Sequence, residues 1–290
     1  MSAAKEIRSK IKSVQNTQKI TRAMQMVATS KMRKTQERMR AARPYAENIR
    51  RVMANLAGIN NYAKNNSPYL RSCSNPKSVG IIVITSDKGL CGGLNANVLK
   101  LFYENVKKFK NSKVSVEVCP LGQKGLNASL RVGLDVTSSA VSLGDVPQME
   151  KLIGPISNFL TKFHNQQLDA VYVVYSHFVN TMKQQPKFEQ LLPLSKKDLQ
   201  QDKVHFNDYE YEPSALEVLD QIISRYVESV VFQCLADNMA SEQAARMVAM
   251  KSATDNAGLA INELRLVYNK SRQASITKEL AEIVAGSAAV

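Results

Sequence analysis

MSAAKEIRSKIKSVQNTQKITRAMQMVATSKMRKTQERMRAAR (Met1–Arg43) opens the chain without a glycine or a proline. Those two residues are the ones that interrupt helices, so the stretch predicts one long helix. The other end repeats the pattern: Ser214–Ala257 has neither residue, and beyond it only Gly258 and Gly286 occur. All nine prolines lie between Pro44 and Pro213, and ten of the twelve glycines lie between Gly58 and Gly154. The 290 residues therefore divide into a helix over 1–58, a turn-rich compact domain over 76–210 and a second helix over 214–290. At 1.5 Å per residue, helices of ~50 and ~70 residues are roughly 75 and 105 Å long. Both exceed the width of a small domain, so each needs a partner along its length.

The apolar spacing supports pairing of the two ends. Ile7, Ile11, Val14, Thr21 and Ala28 recur at three-four or heptad intervals. Leu216, Leu219, Ile223, Tyr226 and Val230 do the same, followed by Met247, Met250, Thr254, Ala257, Ile261, Leu264 and Tyr268. Such stripes mark seams of the coiled-coil type. Small or polar residues at Thr21, Ala28 and Thr254 let two helices approach closely. The expected fold is α/β: a long antiparallel coiled coil of the N- and C-terminal helices, with an α/β domain between them in sequence.

Charge follows the same division. The chain carries 39 Lys and Arg against 25 Asp and Glu, a net +14. Residues 5–51 hold fourteen basic and three acidic side chains, whereas residues 214–290 hold seven basic and nine acidic. Exposed ion pairs contribute under ~1 kcal/mol each, so the main consequence is a basic face left for a partner. An acidic protein surface fits that face better than nucleic acid does, because the reader motifs and aromatic platforms of nucleic-acid proteins are missing. An anionic membrane surface is the third reading. No apolar run is long enough to span a bilayer, and the charged N-terminus is no secretory signal. Cys73, Cys91, Cys119 and Cys234 are far apart with no CxxC, which argues for free thiols in a reducing compartment.

In the middle, Val79–Thr85 reads as a buried strand, Leu94–Asn111 as a helix and Val114–Cys119 as a strand. Gln148–Gln167 is helical apart from Gly154 and Pro155, Leu168–Phe178 is a strand, and a further strand lies near Leu191. Strand–helix–strand order suggests a parallel sheet with helices on its faces. The loop SDKGLCGGLN (Ser86–Asn95) follows a strand and opens a helix, as a phosphate loop would. It is neither GxxxxGK[ST] nor GxGxxG, and a tight structural turn explains its glycines better. Cys91 has no histidine near it in sequence. His164, His177 and His205 lack metal-ligand spacing. No catalytic residue, cofactor site or metal site is expected.

Several long strings are recognisable. KEIRSKIKSVQNTQKITRAMQMVATSKMRK (Lys5–Lys34) and ASEQAARMVAMKSATDNAG (Ala240–Gly258) closely resemble the γ-subunit family of bacterial F-type ATP synthases. NKSRQASITKELAEIVAGSAAV (Asn269–Val290) is similar to the family's C-terminal signature, with Ser287 where Ala is usual. SDKGLCGGLN and VNTMKQQP (Val179–Pro186) also fit. The resemblance runs end to end and is least distinctive over about 96–170.

The resemblance implies a non-catalytic subunit. It implies terminal helices forming an asymmetric shaft inside a ring of α and β subunits. It also implies a central Rossmann-like α/β domain forming the foot, with the ε subunit, on the membrane c-ring. Proton flow would turn the shaft and drive the β sites through successive states by differential stabilisation. The chain would sit peripherally on the cytoplasmic face of the bacterial inner membrane, with no nucleic acid and no membrane span of its own. Residue by residue, Met24, Arg246, Arg272, Gln273, Thr277 and Glu279 match β-contact positions. Lys31, Arg33 and Lys34 would add complementary charge. Tyr209, Tyr211 and Glu212 match the stretch meeting ε and the c-ring. A basic helical nucleic-acid-binding or scaffold protein is the alternative.

Overall fold

A computed structural model describes residues 2–59, 69, 75–146, 148–194, 212 and 214–287. Helix α1 spans Ser2–Ile59 and helix α5 spans Ala215–Ser287. Between them come β1 (Ser78–Ile84), α2 (Leu94–Asn111), β2 (Ser115–Leu121) and α3 (Gln123–Arg131). Then follow β3 (Asp135–Val136), α4 (Glu150–His164), β4 (Ala170–Phe178) and β5 (Gln184–Leu192). Pro44 lies inside α1 without ending it. It removes one donor from the helix ladder, and the helix continues for a further fifteen residues to Ile59.

The contacts group the chain into two compact units, one of residues 1–29 with 246–290 and one of residues 30–245. The second contains the sheet, in the order β3-β2-β1-β4-β5. Strands β1 to β4 are parallel, with Ser78 opposite Ser115 and Val79 opposite Ala170. Strand β5 is antiparallel to β4, with Phe178 opposite Gln184. The parallel sheet expected from the strand–helix–strand order holds for β1 to β4, and the strand at Leu191 adds an antiparallel edge. Only residues 179–183 join β4 to β5, enough for a hairpin and far short of a parallel crossover. Helix α3 and the two-residue β3 add to the elements expected from the sequence.

Side chains alternate across β1 as the pleat requires. Val79, Ile81 and Val83 pack with Val98, Phe102 and Val106 of α2 on one face. Ile82 and Ile84 face Leu152, Ile156 and Phe159 of α4 on the other. Gly80 lets α4 approach, since a Cβ there would lie 2.9 Å from the Phe159 ring. The α4 side of the core also takes in Leu219, Ile223, Tyr226, Val227 and Val231 of α5. The stripe read as a coiled-coil seam near residue 220 thus faces the sheet. A three-four repeat says that a face is apolar, not what covers it.

In the first unit, burial recurs on α1 at Ile7, Ile11, Val14, Gln18, Thr21, Gln25 and Ala28. On α5 it recurs at Met250, Thr254, Ala257, Ile261, Leu264 and Tyr268. The Thr21 and Thr254 hydroxyls are 2.8 Å apart, and Gln18 Nε2 donates to the Thr254 carbonyl at 3.3 Å. A Cβ on Gly258 would sit 3.1 Å from Gln18 Nε2. Rising numbers on α1 meet falling numbers on α5, so the pair is antiparallel. Its seam is part polar, with Gln18 and Gln25 filling heptad positions that an apolar search passes over.

Candidate functional site

The paired helices of the first unit carry uncovered apolar side chains. Ile20, Met26 and Val27 are exposed on α1, and Leu259, Leu266, Val267, Ile276, Leu280, Ile283 and Val284 on α5. Carbon surface on this scale marks a contact surface. Among the residues matched from the family, Arg272, Gln273, Thr277 and Glu279 are exposed on α5, while Met24 and Arg246 are half-buried. Arg272 and Gln273 stand beside Ile276 and Leu280, so hydrogen-bonding groups and apolar groups share one stretch of helix. Lys278 lies 3.7 Å from Glu282 one turn on.

The basic residues read as partner contacts behave differently. Lys31 Nζ is 2.7 Å from Asp145 Oδ2, and Arg38 donates to the Asp145 carbonyl at 2.9 Å. Lys31 therefore has a partner within its own chain, which its sequence context did not reveal. Arg33 lies 3.4 Å from Glu37 on the same helix, and Lys34 is exposed. Of the three residues matched to the ε and c-ring stretch, Glu212 is exposed. Tyr209 and Tyr211 lie outside the described residues, as does Cys73.

The glycine-rich loop is closed by its own polar groups. Ser86 N–H donates to Asn95 Oδ1 at 3.1 Å, Asn95 Nδ2 donates to Ser86 Oγ at 2.7 Å, and Ser86 Oγ donates to the Lys88 carbonyl at 2.6 Å. Asp87 accepts from the backbone N–H groups of Gln123, Ser142 and Leu143 at 3.0, 3.1 and 2.9 Å. The next donors of α3 are also engaged. Lys124 N–H goes to the Ser86 carbonyl at 3.2 Å and Gly125 N–H to Thr85 Oγ1 at 2.8 Å. Asp87 thus ties the loop that opens α2 to the start of α3 and to residues 142 and 143, so the loop is built as a brace. Cys91 is buried and receives a hydrogen bond from Asn95 Nδ2 at 3.3 Å. Burial pushes the Cys119 thiol up to about 11 and raises Cys234 well above the usual thiol range. Neither Cys119 nor Cys234 is a nucleophile at neutral pH.

One cluster escaped sequence reasoning. Ser176, His177, Asp237, Asn238 and Ser241 join β4 to α5 through polar contacts. The adjacent polar pair Asp237–Asn238 inside an otherwise apolar stripe is the signal that could have found it. Among the described residues no group of His, Cys, Asp and Glu could hold a metal ion, and no helix is long and apolar enough to cross a membrane.

The sequence profile of the ATP synthase family matches residues 3–290. The ATP synthase gamma chain of Chromobacterium violaceum is 61% identical over the full length of both chains. The chain belongs to the ATP synthase gamma-chain family. A second member, from Neisseria meningitidis serogroup C, is 59% identical, again over the whole of both chains. Among solved structures, a chain of the Tetrahymena thermophila mitochondrial ATP synthase central stalk and c-ring is 28% identical. The match has a TM-score of 0.63 and covers 81% of this chain and 99% of that one. A chain of the Euglena gracilis mitochondrial ATP synthase in rotational state 3 shares the fold at 18% identity. Its TM-score is 0.68, with 99% of this chain and 94% of that one covered.

Proposed function

We propose that this protein is the central rotary shaft of an F-type ATP synthase. It couples proton flow through the membrane c-ring to ATP synthesis and hydrolysis at the α/β catalytic ring. The observation that carries the reading is full-length identity of 61% to a gamma chain. The paired terminal helices, with their exposed apolar and hydrogen-bonding side chains, support it. The chain performs no bond chemistry itself. It stabilises different β-subunit states at different angles, so each site is biased in turn.

In this reading Met24, Arg246, Arg272, Gln273, Thr277 and Glu279 meet the β subunits. Arg33 and Lys34 add positive charge nearby, and Lys31 acts mainly within its own chain. The foot, with Tyr209, Tyr211 and Glu212, meets ε and the c-ring. The chain is then a peripheral component on the cytoplasmic face of the bacterial inner membrane. The nucleic-acid alternative falls away, because the family match runs from end to end.

The test is reconstitution. The purified chain, mixed with α and β subunits, should yield an ATPase whose attached probe turns during ATP hydrolysis. Failure to bind the α/β ring, or hydrolysis without rotation, would refute the reading.

A further inference from the structure

Polar atoms join strand β4 to helix α5 within a largely apolar interface. Along most of their contact Leu219, Ile223, Val227 and Val231 pack on the sheet through carbon. At the C-terminal end of β4 the chemistry changes. The Ser176 N–H donates to Asn238 Oδ1 at 3.2 Å, and Ser241 Oγ donates to the Ser176 carbonyl at 3.0 Å. His177 Nδ1 lies 2.6 Å from Asp237 Oδ2. The next residue, Phe178, packs on Met39 of α1 and on Ala236 and Ala240 of α5. Ser176, Asp237, Asn238 and Ser241 are all buried.

Apolar contact is non-directional. A helix seated on carbon alone can roll by small angles while losing little buried area. Bonds from positions 238 and 241 to both backbone groups of one strand residue do not survive such a roll, because hydrogen bonds weaken steeply with angle. Asn238 Nδ2 has no hydrogen-bond partner among the described residues. Apolar side chains here would remove that donor but leave the Ser176 N–H and carbonyl unpaired, so the cluster satisfies the strand backbone and at the same time gives the contact a direction.

We infer that Ser176, His177, Asp237, Asn238 and Ser241 form a torsion-bearing joint that fixes the rotational register of α5 on the sheet. The inference rests on the rotary reading above. Twisting load passing between domain and shaft must cross from sheet to helix, and directional bonds resist roll where carbon does not. Met39 beside Phe178 brings α1 to the same place.

The experiment uses the assembled complex with its α/β ring fixed and a probe attached through Lys107→Cys on the exposed side of α2. The angular variance of the stalled rotor is recorded. The double variant Asn238→Ala/Ser241→Ala should raise that variance about twofold or more, since both bonds to Ser176 are lost. Ser241→Ala alone, the milder change, should raise it less. Val231→Ala, which thins the apolar part of the same interface, should lower the thermal midpoint but leave the variance near wild type. Variance unchanged in the double variant, or raised equally by Val231→Ala, would overturn the joint while leaving the rotary reading intact. A wild-type complex that never turns on ATP would overturn the rotary reading and the joint with it.

Discussion

Replacing Asp87 by alanine should loosen three segments at once. Its Oδ1 accepts from Gln123 and Ser142, and its Oδ2 accepts from Leu143. The Ser142 contact is exposed, so water substitutes there at little loss. The other two are part-buried, and bonds to a charged acceptor contribute about 1.5–3 kcal/mol each. Taking the low end for both, because water partly reaches them, the variant should lose roughly 3 kcal/mol. Asp87→Asn should lose about half of that, since one amide oxygen can still serve Gln123 while Leu143 faces an NH2 group. The damage should spread along the chain. Residues 142 and 143 lead into Asp145, which holds Lys31 and Arg38 of α1. Urea unfolding of the full chain gives the global loss, and amide hydrogen exchange gives the local one. The Leu143 amide should exchange at least about tenfold faster in Asp87→Ala, as 1.4 kcal/mol of lost protection corresponds to a factor of ten. An unfolding midpoint and a Leu143 exchange rate both equal to wild type would refute the bracing role.

Gly122→Ala should cost about 3 kcal/mol or more in urea unfolding, because φ is +111° and the new Cβ would collide with the Thr85 carbonyl oxygen. Arg272→Ala should lower both ATP synthesis and multi-site hydrolysis by the assembled complex while subunit stoichiometry on a gel stays normal. Arg272→Lys should restore only part, since a point charge lacks the guanidinium fork. Stability should fall as pH rises from 9 toward 11, because the unfolded chain loses the Cys119 proton first while the buried thiol holds it up to about 11. That contribution is fully present below pH 9 and amounts to roughly 3 kcal/mol; Cys119→Ala should flatten the alkaline limb of a pH–stability curve. Titration of ATP into the isolated chain should show no binding heat at micromolar concentrations, because the loop Ser86–Asn95 lacks the Lys and Ser/Thr that follow the glycines of a phosphate loop.

Much of the architecture follows from local chemistry that the sequence displays. Where glycine and proline are missing, nothing stops a helix, and α1 and α5 run through those stretches. Where β-branched residues cluster, as in Val79–Thr85 and Leu168–Phe178, strands form. The family strings at both ends lie on the paired helices, so Arg272 and Gln273 could be placed on a helix before any coordinates. Only the tertiary structure decided what each apolar stripe faces. The stripe at Leu219, Ile223 and Tyr226 covers a sheet, while the one at Met250, Thr254 and Ile261 meets α1. Spacing on one helix carries no information about its partner. The same holds for Lys31 with Asp145 and for Ser176 with Asn238, pairs separated by 114 and 62 residues. Directional contacts across such distances depend on how the whole chain closes, and the sequence displays only what lies near along the chain.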